Sequence, residues 1–497
     1  MNPLVSEFIK KILQPIKYQK IHPQITKEIE DHIESLKENY TEEGLEENKA
    51  YQRALEDMGD AEVIGKSFHH IHKPKMEWSI LGLMTLLVSV SFIILAIWSK
   101  SYAGSGDVFN AHSKQAVFII MGLGLVSCLY FLDYKVFERW AEIGWCIGIL
   151  ILLWTVFYGI NINGARRWVR LGPITLSAAY LARVFLILAY TGMVYKWGNR
   201  GLRSRMLLGI MALIPVGLTA MDDLFGAVIL GSVLFIILVC YIKNDIFKGN
   251  KGLWLKILYG TALAGSALFS FILLKDNTHK LQRLMIFMHP ETDPNAHGYM
   301  YMVLQNLREQ ASLIGDSGVK MFEGYVNVRD ISGDLIFLFI VGKLGWLAGA
   351  LLISILIFVT LRLFLAASKV QEAYGKIVCI SIASLVTIQF IFNILMNLGY
   401  TPLTSSYLPF ISYGGSAVIT DMLLIGVFLS IYRRKDIVPI QCDSKNHKFN
   451  LLLEKVWVQH PNHQTLEIAK KLASLKVDTK IIEKATGLTE KEVKNLY

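Results

Sequence analysis

The sequence predicts an all-α fold, namely a polytopic membrane protein with about ten transmembrane helices and a small helical module at each end. Composition is the first reason, because 53% of the 497 residues are hydrophobic, 18% are charged and the mean hydropathy is +0.42. Such a chain is too apolar for one soluble core. The second reason is that the apolar residues form ten segments that can cross about 30 Å of hydrocarbon at about 1.5 Å per residue. The third is that Lys and Arg flank these segments.

Residues 1–77 are predicted to form a helical cytoplasmic domain. This stretch is polar and has no basic region followed by an apolar core, so no cleavable signal peptide is expected. Residues 25–40 and 46–58 place apolar side chains at helical spacing, and Gly44 and Gly59 follow these two stretches. We therefore expect three or four short helices in this domain.

Residues 78–435 are predicted to form the membrane domain. Trp78 and Trp98 bracket its first apolar segment, as aromatic residues at a membrane interface do. The ten predicted segments cover residues 78–98, 116–132, 143–160, 174–195, 206–221, 224–243, 254–274, 335–365, 376–399 and 411–432.

The distribution of positive charge predicts the orientation of this domain. One set of connecting loops is rich in Lys and Arg, and the positive-inside rule places that set in the cytoplasm. Both termini then lie inside, as ten crossings require, and the longest loop, residues 275–334, lies outside. The basic residues of the inner loops are Lys135, Arg139, Lys196, Arg200, Arg203, Arg205, Lys243, Lys248, Lys251, Lys369, Lys376, Arg433, Arg434 and Lys435.

Residues 436–497 are predicted to form a cytoplasmic helical tail. Its last thirty residues read as two amphipathic helices separated by Thr486 and Gly487, a pattern similar to a helix-turn-helix. We favour a pair of docking helices, because a single short motif without a clear recognition surface is a weak indication of DNA binding. No nucleic acid partner is expected.

Three arginines lie in an outward-facing loop, against the positive-inside tendency. They are Arg166, Arg167 and Arg170, and Arg283 lies near the start of the long outer loop. Guanidinium groups bind phosphate oxygens through paired hydrogen bonds. An anionic ligand is therefore the natural candidate, and lipid head groups are the alternative.

The outer loop of residues 275–334 is too long to be a simple connection, and loops of this length are commonly functional. It ends with "DISGDLIF", which places Asp334 at the membrane entrance of the eighth segment. A carboxylate in a partly dry cleft suits a general base. By position alone, Asp330 and Asp334 are nearly equal candidates.

Proline and paired glycines interrupt the chain just before the tenth segment, at Pro402, Pro409, Gly414 and Gly415. A loosened helical backbone is tolerated at membrane depth only where protein or a water-filled cavity satisfies its polar groups. We therefore expect the outer end of the tenth segment to line a cavity.

Three stretches together resemble the SEDS family, the shape, elongation, division and sporulation proteins of bacterial cell walls (FtsW/RodA/SpoVE type). They are "LPFISYGGS" at 408–416, which is the most specific, "NGARRWVRLG" at 163–172 and "RLMIFMHPETDPNAHGY" at 283–299. The resemblance implies a multi-pass protein of the bacterial cell membrane that polymerises lipid II into peptidoglycan glycan strands. It also implies a class B penicillin-binding transpeptidase as partner.

The resemblance implies site residues as well. "SGDLIF" places Asp334 on the essential acid of the family, which favours Asp334 over Asp330 as the catalytic residue. Asp223 falls on the Asp of the family's "QPDLGT" turn. A divalent cation, Mg²⁺ or Mn²⁺, is the one cofactor expected, without a dedicated protein metal site. The predicted substrate-binding residues are Arg166, Arg167, Arg283, Asp223, Gln305, Gln389, Asn393, Pro409, Ser412, Tyr413, Gly414 and Gly415.

Several positions depart from the family pattern. The family's "QPSE" reads "SAAY" at 177–180, and Arg183, Lys343 and Asp421 stand where the family has a Lys, an acid and an apolar residue. Counted along their segments, all three lie roughly 14 Å deep, near the bilayer midplane. Because an unpaired charge there is costly, we predict that Asp421 pairs with Arg183 or Lys343.

Two other functions fit the same sequence. A flippase or transporter for a lipid-linked precursor is one, because broken helices and charges at the midplane also suit alternating access. The other is a scaffold with weakened catalysis whose terminal modules recruit wall-synthesis partners. The sequence contains no P-loop, GxGxxG, HExxH or GxSxG motif, which disfavours ATP-driven transport.

Overall fold

A computed structural model describes residues 2–71, 76–101, 111–162, 165–171, 174–275, 279–294, 298–318 and 331–435. The chain divides into two compact units, and residues 2–71 belong to the first while residues 76–435 belong to the second. The predicted tail of residues 436–497 lies outside the described residues, as does Asp330.

Residues 2–71 of the first unit form four α-helices, which agrees with the three or four helices expected in the N-terminal domain. Its core consists of aliphatic residues such as Ile12, Ile29 and Ile33. Gly65 lies so close to the first helix that an added Cβ would be 2.4 Å from the carbonyl oxygen of Ile12. The helices are Pro3–Leu13 (α1), His22–Glu42 (α2), Glu47–Met58 (α3) and Ala61–Ile71 (α4).

The second unit is a helical bundle. Within the described residues, nine helices are long and apolar enough to cross a membrane, and a further helix of 25 residues, Lys251–Lys275, occupies the seventh predicted segment. The prediction of an all-α polytopic membrane protein is therefore confirmed. Its helices are Trp78–Ser101 (α5), Ala111–Phe131 (α6), Lys135–Arg139 (α7), Ala141–Tyr158 (α8), Ala178–Trp197 (α9), Leu202–Asp222 (α10), Leu224–Lys243 (α11), Lys251–Lys275 (α12), His279–Met288 (α13), Tyr299–Gln310 (α14), Ile336–Leu344 (α15), Trp346–Ser368 (α16), Ala373–Asn397 (α17) and Gly415–Arg433 (α18).

Helices α9, α17 and α18 form the centre of the bundle, because 72%, 67% and 83% of their most apolar windows are buried. In α6, α8 and α10 only 22%, 22% and 17% are buried. A helix that is apolar on all sides but exposed in the isolated protein is suited to contact with lipid. The central helices are therefore the ones that can carry a buried polar site.

A small antiparallel sheet, which the sequence analysis did not predict, lies between α8 and α9. Its strands are Ile160–Ile162 (β1), Ala165–Leu171 (β2) and Ile174–Ser177 (β3), in the order β1-β2-β3. The fourth apolar segment consequently begins as a helix at Ala178 instead of residue 174. At the end of β3, the backbone N–H of Ser177 donates to Ser416 Oγ of α18 at 2.7 Å.

The eighth predicted segment is divided at Gly345, which corrects the expectation of one continuous span. Gly345 has φ +90°, a conformation that L-residues rarely adopt, and it separates the nine-residue α15 from the 23-residue α16. The loop that precedes this region supplies backbone acceptors to the start of α16: Trp346 N–H donates to Ser312 O at 3.1 Å and Leu347 N–H to Leu313 O at 3.0 Å.

Candidate active site

Asp334 lies in a turn two residues before α15, and it is half-buried. Its carbonyl oxygen accepts hydrogen bonds from Asn393 Nδ2 at 2.9 Å and from Asn397 Nδ2 at 3.0 Å. The two asparagines are four residues apart in α17, a spacing that places both on one face of the helix. The central helix therefore fixes the backbone of the predicted catalytic residue.

The "LPFISYGGS" stretch binds the two preceding carbonyl groups. Ser412 Oγ donates to Gly333 O at 2.7 Å, and the backbone N–H of Tyr413 donates to Ser332 O at 2.8 Å. The carbonyls of Ser332, Gly333 and Asp334 are thus all fixed by residues that lie about 60 to 80 positions further along the chain. Three predicted site residues, Asn393, Ser412 and Tyr413, converge on this turn and hold it.

Gly414 and Gly415 lie at the start of α18, where it packs against α6, and Pro409 lies in the loop before it. Pro409 is buried. Gly414 N–H donates to Gln115 Oε1 at 3.3 Å, and a Cβ added to Gly415 would approach the ring of Phe118 to 2.4 Å. Gly415 allows α6 and α18 to approach closely, because a larger residue there would meet the Phe118 ring.

Asp421 is completely buried and holds the loop before α18. Its Oδ2 accepts the backbone N–H of Phe410 at 2.8 Å, and its Oδ1 accepts the Tyr407 hydroxyl at 3.1 Å. Phe410 has φ +64°, and a bulky residue in that region is strained unless its surroundings hold it there. The Asp421 carboxylate supplies that restraint.

The predicted pairing of Asp421 with Arg183 or Lys343 is wrong. Arg183 Nη2 instead lies 4.0 Å from Asp223 Oδ2, and Lys343 Nζ lies 2.8 Å from Asp316 Oδ2. The hydrogen bond from Lys343 holds the pKa of Asp316 below its ordinary value. Lys343 precedes the break at Gly345 and is outside the helix α16, so counting residues along one continuous span does not give its depth.

A second group of predicted residues lines a cleft between α9, α11 and α17. Arg183 and Asp223 are both more than nine-tenths buried, and Asp223 Oδ1 accepts the N–H of Gly226 at 2.7 Å, which caps α11. Gln389 is also buried, and within the part of the chain that the structure describes its Oε1 has no hydrogen-bond partner. A buried acceptor of this kind is costly unless it is bonded, so it could bind a donor group of a ligand. The cleft is narrow, with an enclosed volume of about 10 Å³, and it is lined by Tyr180, Arg183, Asp223, Phe225, Gly226, Ile229, Gln389, Thr404, Ser405, Ser406 and Tyr407.

The cleft and the Asp334 turn share one loop. Tyr407 of the cleft packs on Tyr180 with ring centroids 4.8 Å apart, and its hydroxyl binds Asp421. Asn393, which binds the Asp334 carbonyl, also donates to the carbonyl of Ser406 in the cleft wall. The loop before α18 therefore connects the two groups of predicted residues.

The remaining predicted residues lie elsewhere. Arg166 and Arg167 belong to β2 and Arg283 belongs to α13, but their side chains are outside the described part of the chain. Gln305 lies on α14 with an exposed side chain, and its Nε2 donates to Glu309 Oε1 at 2.9 Å. Their roles in substrate binding stay predictions.

The sequence analysis missed Asn397. Its side chain is completely buried and binds the Asp334 carbonyl as Asn393 does. The spacing in the sequence could have revealed it, because an asparagine four residues after Asn393 in the same apolar segment lies on the same helix face.

The fold and site define a polytopic membrane protein with a carboxylate held at one end of its three central helices. The chain belongs to the FtsW/RodA/SpoVE family, described as "Cell cycle protein", which it matches over residues 75–437. It is 28% identical over 389 residues to a probable peptidoglycan glycosyltransferase FtsW of Enterococcus hirae, covering 73% of this chain and 93% of that protein. It is 25% identical to the peptidoglycan glycosyltransferase MrdB of Escherichia coli K12, covering 71% of this chain and 93% of that protein.

Solved structures show the same fold. A chain of a peptidoglycan synthase complex superposes with a TM-score of 0.59 at 23% identity, over 72% of this chain and 98% of that one. The rod shape determining protein RodA of Thermus thermophilus superposes with a TM-score of 0.51 at 21% identity, over 72% of this chain and 97% of that one.

Proposed function

We propose that this protein is a peptidoglycan glycosyltransferase that polymerises lipid II into glycan strands. One observation carries the proposal: in a chain of this family, three predicted site residues converge on the turn that carries Asp334. Relatives that match more than nine-tenths of their own length to this chain are named as peptidoglycan glycosyltransferases. The names of the relatives and the fixed position of the Asp334 backbone both support this proposal.

In the proposed reaction, Asp334 acts as the general base. It takes the proton of the acceptor sugar's 4-hydroxyl while that oxygen bonds to the anomeric carbon of the donor and the bond to undecaprenyl pyrophosphate breaks. Half-burial leaves the carboxylate accessible to a substrate, and the fixed backbone preserves its position. Arg166, Arg167 and Arg283 would offset the negative charge that develops on the leaving pyrophosphate.

The cleft beside the turn would bind part of the substrate. Arg183 offers a buried positive charge, and Gln389 Oε1 offers a buried acceptor. Asp223 in its wall adds an acceptor, so this narrow cleft suits one small polar group of the substrate that both donates and accepts, such as a sugar hydroxyl. This assignment is supported by chemistry and by the resemblance of Asp223 and Gln389 to family positions.

We propose that a divalent cation, if one is used, arrives bound to the pyrophosphate of the substrate. Among the described residues, no group of three or more His, Cys, Asp or Glu side chains could hold a metal. Mg²⁺ is, however, commonly bound by one or two carboxylates together with substrate phosphates. Asp334 with the pyrophosphate would fit that pattern, and no step above depends on it.

The proposal extends to cellular context. The protein is a multi-pass membrane protein, and we infer that both termini are cytoplasmic, that the Asp334 turn faces outward, and that a class B penicillin-binding transpeptidase is the partner in elongation, division or sporulation. Cysteine labelling of intact cells tests the orientation. A cysteine substituted for Ser312 should react with an impermeant reagent, whereas the native Cys442 should not.

Purified protein given fluorescent lipid II tests the activity. Glycan ladders are expected, whereas translocation alone would indicate a flippase and the absence of both would indicate a scaffold. Asp334→Asn should slow polymerisation by about two to four decades, the range for loss of a general base, and leave thermal unfolding unchanged.

Asp316→Asn is the control, because this carboxylate binds Lys343 at the other end of α15. It should polymerise at nearly the wild-type rate. Asp330→Asn separates the two original candidates, since an equal loss in that variant would argue against a unique role for Asp334. Polymerisation by Asp334→Asn at the wild-type rate would reject the assignment.

A further inference from the structure

We propose that Asn397 is a positioning residue that holds Asp334 in place for the reaction, a role that rests on the proposed function. Its Nδ2 donates to Asp334 O at 3.0 Å and to Asn393 O at 2.8 Å. Its Oδ1 accepts the backbone N–H of Leu338 at 3.1 Å. One planar amide therefore binds the chain on both sides of the start of α15.

The contact with Leu338 replaces a missing helix cap. The first N–H groups of a helix have no partner within it, and Leu335, the residue at the N-cap of α15, makes no side-chain capping bond. Leu338 is the third residue of α15, so its N–H is one of these groups. Asn397 supplies the acceptor from α17 and thereby sets the direction in which α15 leaves the Asp334 turn.

Asn393 and Asn397 have different tasks although both bind the Asp334 carbonyl. Asn393 uses its other N–H for Ser406 in the loop before α18, whereas Asn397 ties the turn to α15. Removing Asn397 leaves the carbonyl of Asp334 with one donor but leaves the buried N–H of Leu338 without its acceptor. The side chain that binds both Asp334 and Leu338 is then lost, so the position of Asp334 relative to the start of α15 is no longer fixed.

The first experiment measures polymerisation of lipid II by full-length Asn397→Ala protein. Because a small misplacement of a catalytic group costs up to about a hundredfold in rate, kcat should fall about 10- to 100-fold while the KM for lipid II changes less than about twofold. Ser430→Ala is the matched control, since Ser430 Oγ makes a buried bond between helices, to Leu132 O at 2.6 Å, at the opposite end of α18. Equal losses of kcat in the two variants would indicate general loosening and overturn the proposal.

The second experiment combines Asn397→Ala with Asp334→Asn and measures single-turnover rates. If Asn397 acts through Asp334, the double variant should be no slower than Asp334→Asn alone, because residues that work as a unit are not additive. A further tenfold loss would overturn the positioning role, as would a wild-type kcat in Asn397→Ala.

The two proposals fail in different ways. Wild-type polymerisation by Asp334→Asn rejects the proposed base and with it this inference. A large loss in Asp334→Asn combined with no loss in Asn397→Ala rejects the positioning role alone.

Discussion

The buried carboxylate of Asp421 offers the sharpest test of how the loop before α18 is held. Replacing Asp421 with Leu removes the acceptor of two donors, the Phe410 N–H and the Tyr407 hydroxyl. An orphaned buried donor costs about 1–3 kcal/mol, so the two together cost about 2–6 kcal/mol. The added apolar contacts of Leu offset part of this, and we expect a net loss of about 2–4 kcal/mol in the free energy of unfolding.

Equilibrium unfolding of the detergent-solubilised protein, followed by circular dichroism during titration with SDS, measures this loss. Tyr407→Phe removes one of the orphaned donors. The double variant Asp421→Leu, Tyr407→Phe should therefore be less destabilised than the sum of the single variants by about 1–2 kcal/mol, within the range for residues in contact. This coupling energy measures the hydrogen bond between the Tyr407 hydroxyl and the Asp421 carboxylate.

Lys343→Glu serves as the control for this experiment. Lys343 binds Asp316 and not Asp421, so its effect should add to that of Asp421→Leu without any rescue. Recovery of stability in Asp421→Leu, Lys343→Glu would refute the reasoning and restore the ion pair that the sequence suggested. A loss below about 0.5 kcal/mol in Asp421→Leu, the size of an ordinary surface substitution, would also refute the reasoning.

Two glycines yield further predictions. Gly65→Ala should destabilise the packing of α1 on α4 by about 1–3 kcal/mol, because the new Cβ meets the backbone of Ile12 and overpacking costs about that much. Hydrogen exchange of the α1 amides in the full-length protein should become faster. Gly82→Ala is the control, since its Cβ has open space around it, and it should leave the exchange of α1 unchanged. Gly345→Ala should cost at least about 1–2 kcal/mol for its left-handed backbone, and exchange of the Trp346 and Leu347 amides should rise; unchanged protection there would contradict the importance of the break.

Hydropathy predicted the membrane helices well because lipid imposes length and apolarity on every crossing segment. It could not show the break at Gly345, because α15 and α16 are both strongly apolar and the break depends on the positive φ of one glycine. The sheet of β1 to β3 was missed for a related reason. Its strands are short and lie in a loop where charge dominates the pattern.

The candidate site was predictable as a set of residues but not as an arrangement. Motif resemblance selected Asn393, Ser412 and Tyr413, yet only the structure shows that they bind the backbone before and at Asp334. The expected partner of Asp421 was wrong because counting residues gives the position of a side chain along the helix axis but not the neighbours toward which it points. A carboxylate can be satisfied by a backbone N–H and a hydroxyl as well as by a cation, and sequence does not distinguish these cases.

The division at Gly345 also bears on how the chain enters the bilayer. Insertion responds to apolar length, and α15 and α16 together are longer than the roughly 20 residues that hydrocarbon requires. The bilayer could therefore hold either α16 alone or a segment shifted toward α15 by up to nine residues. That shift is about two and a half helical turns, because one turn has about 3.6 residues. Lys343 makes the deeper position costly, and Gly345 ends the first helix beside it. We therefore expect Lys343, which departs from the family pattern, to set the depth at which the chain stops in the bilayer, while α15 packs against α17.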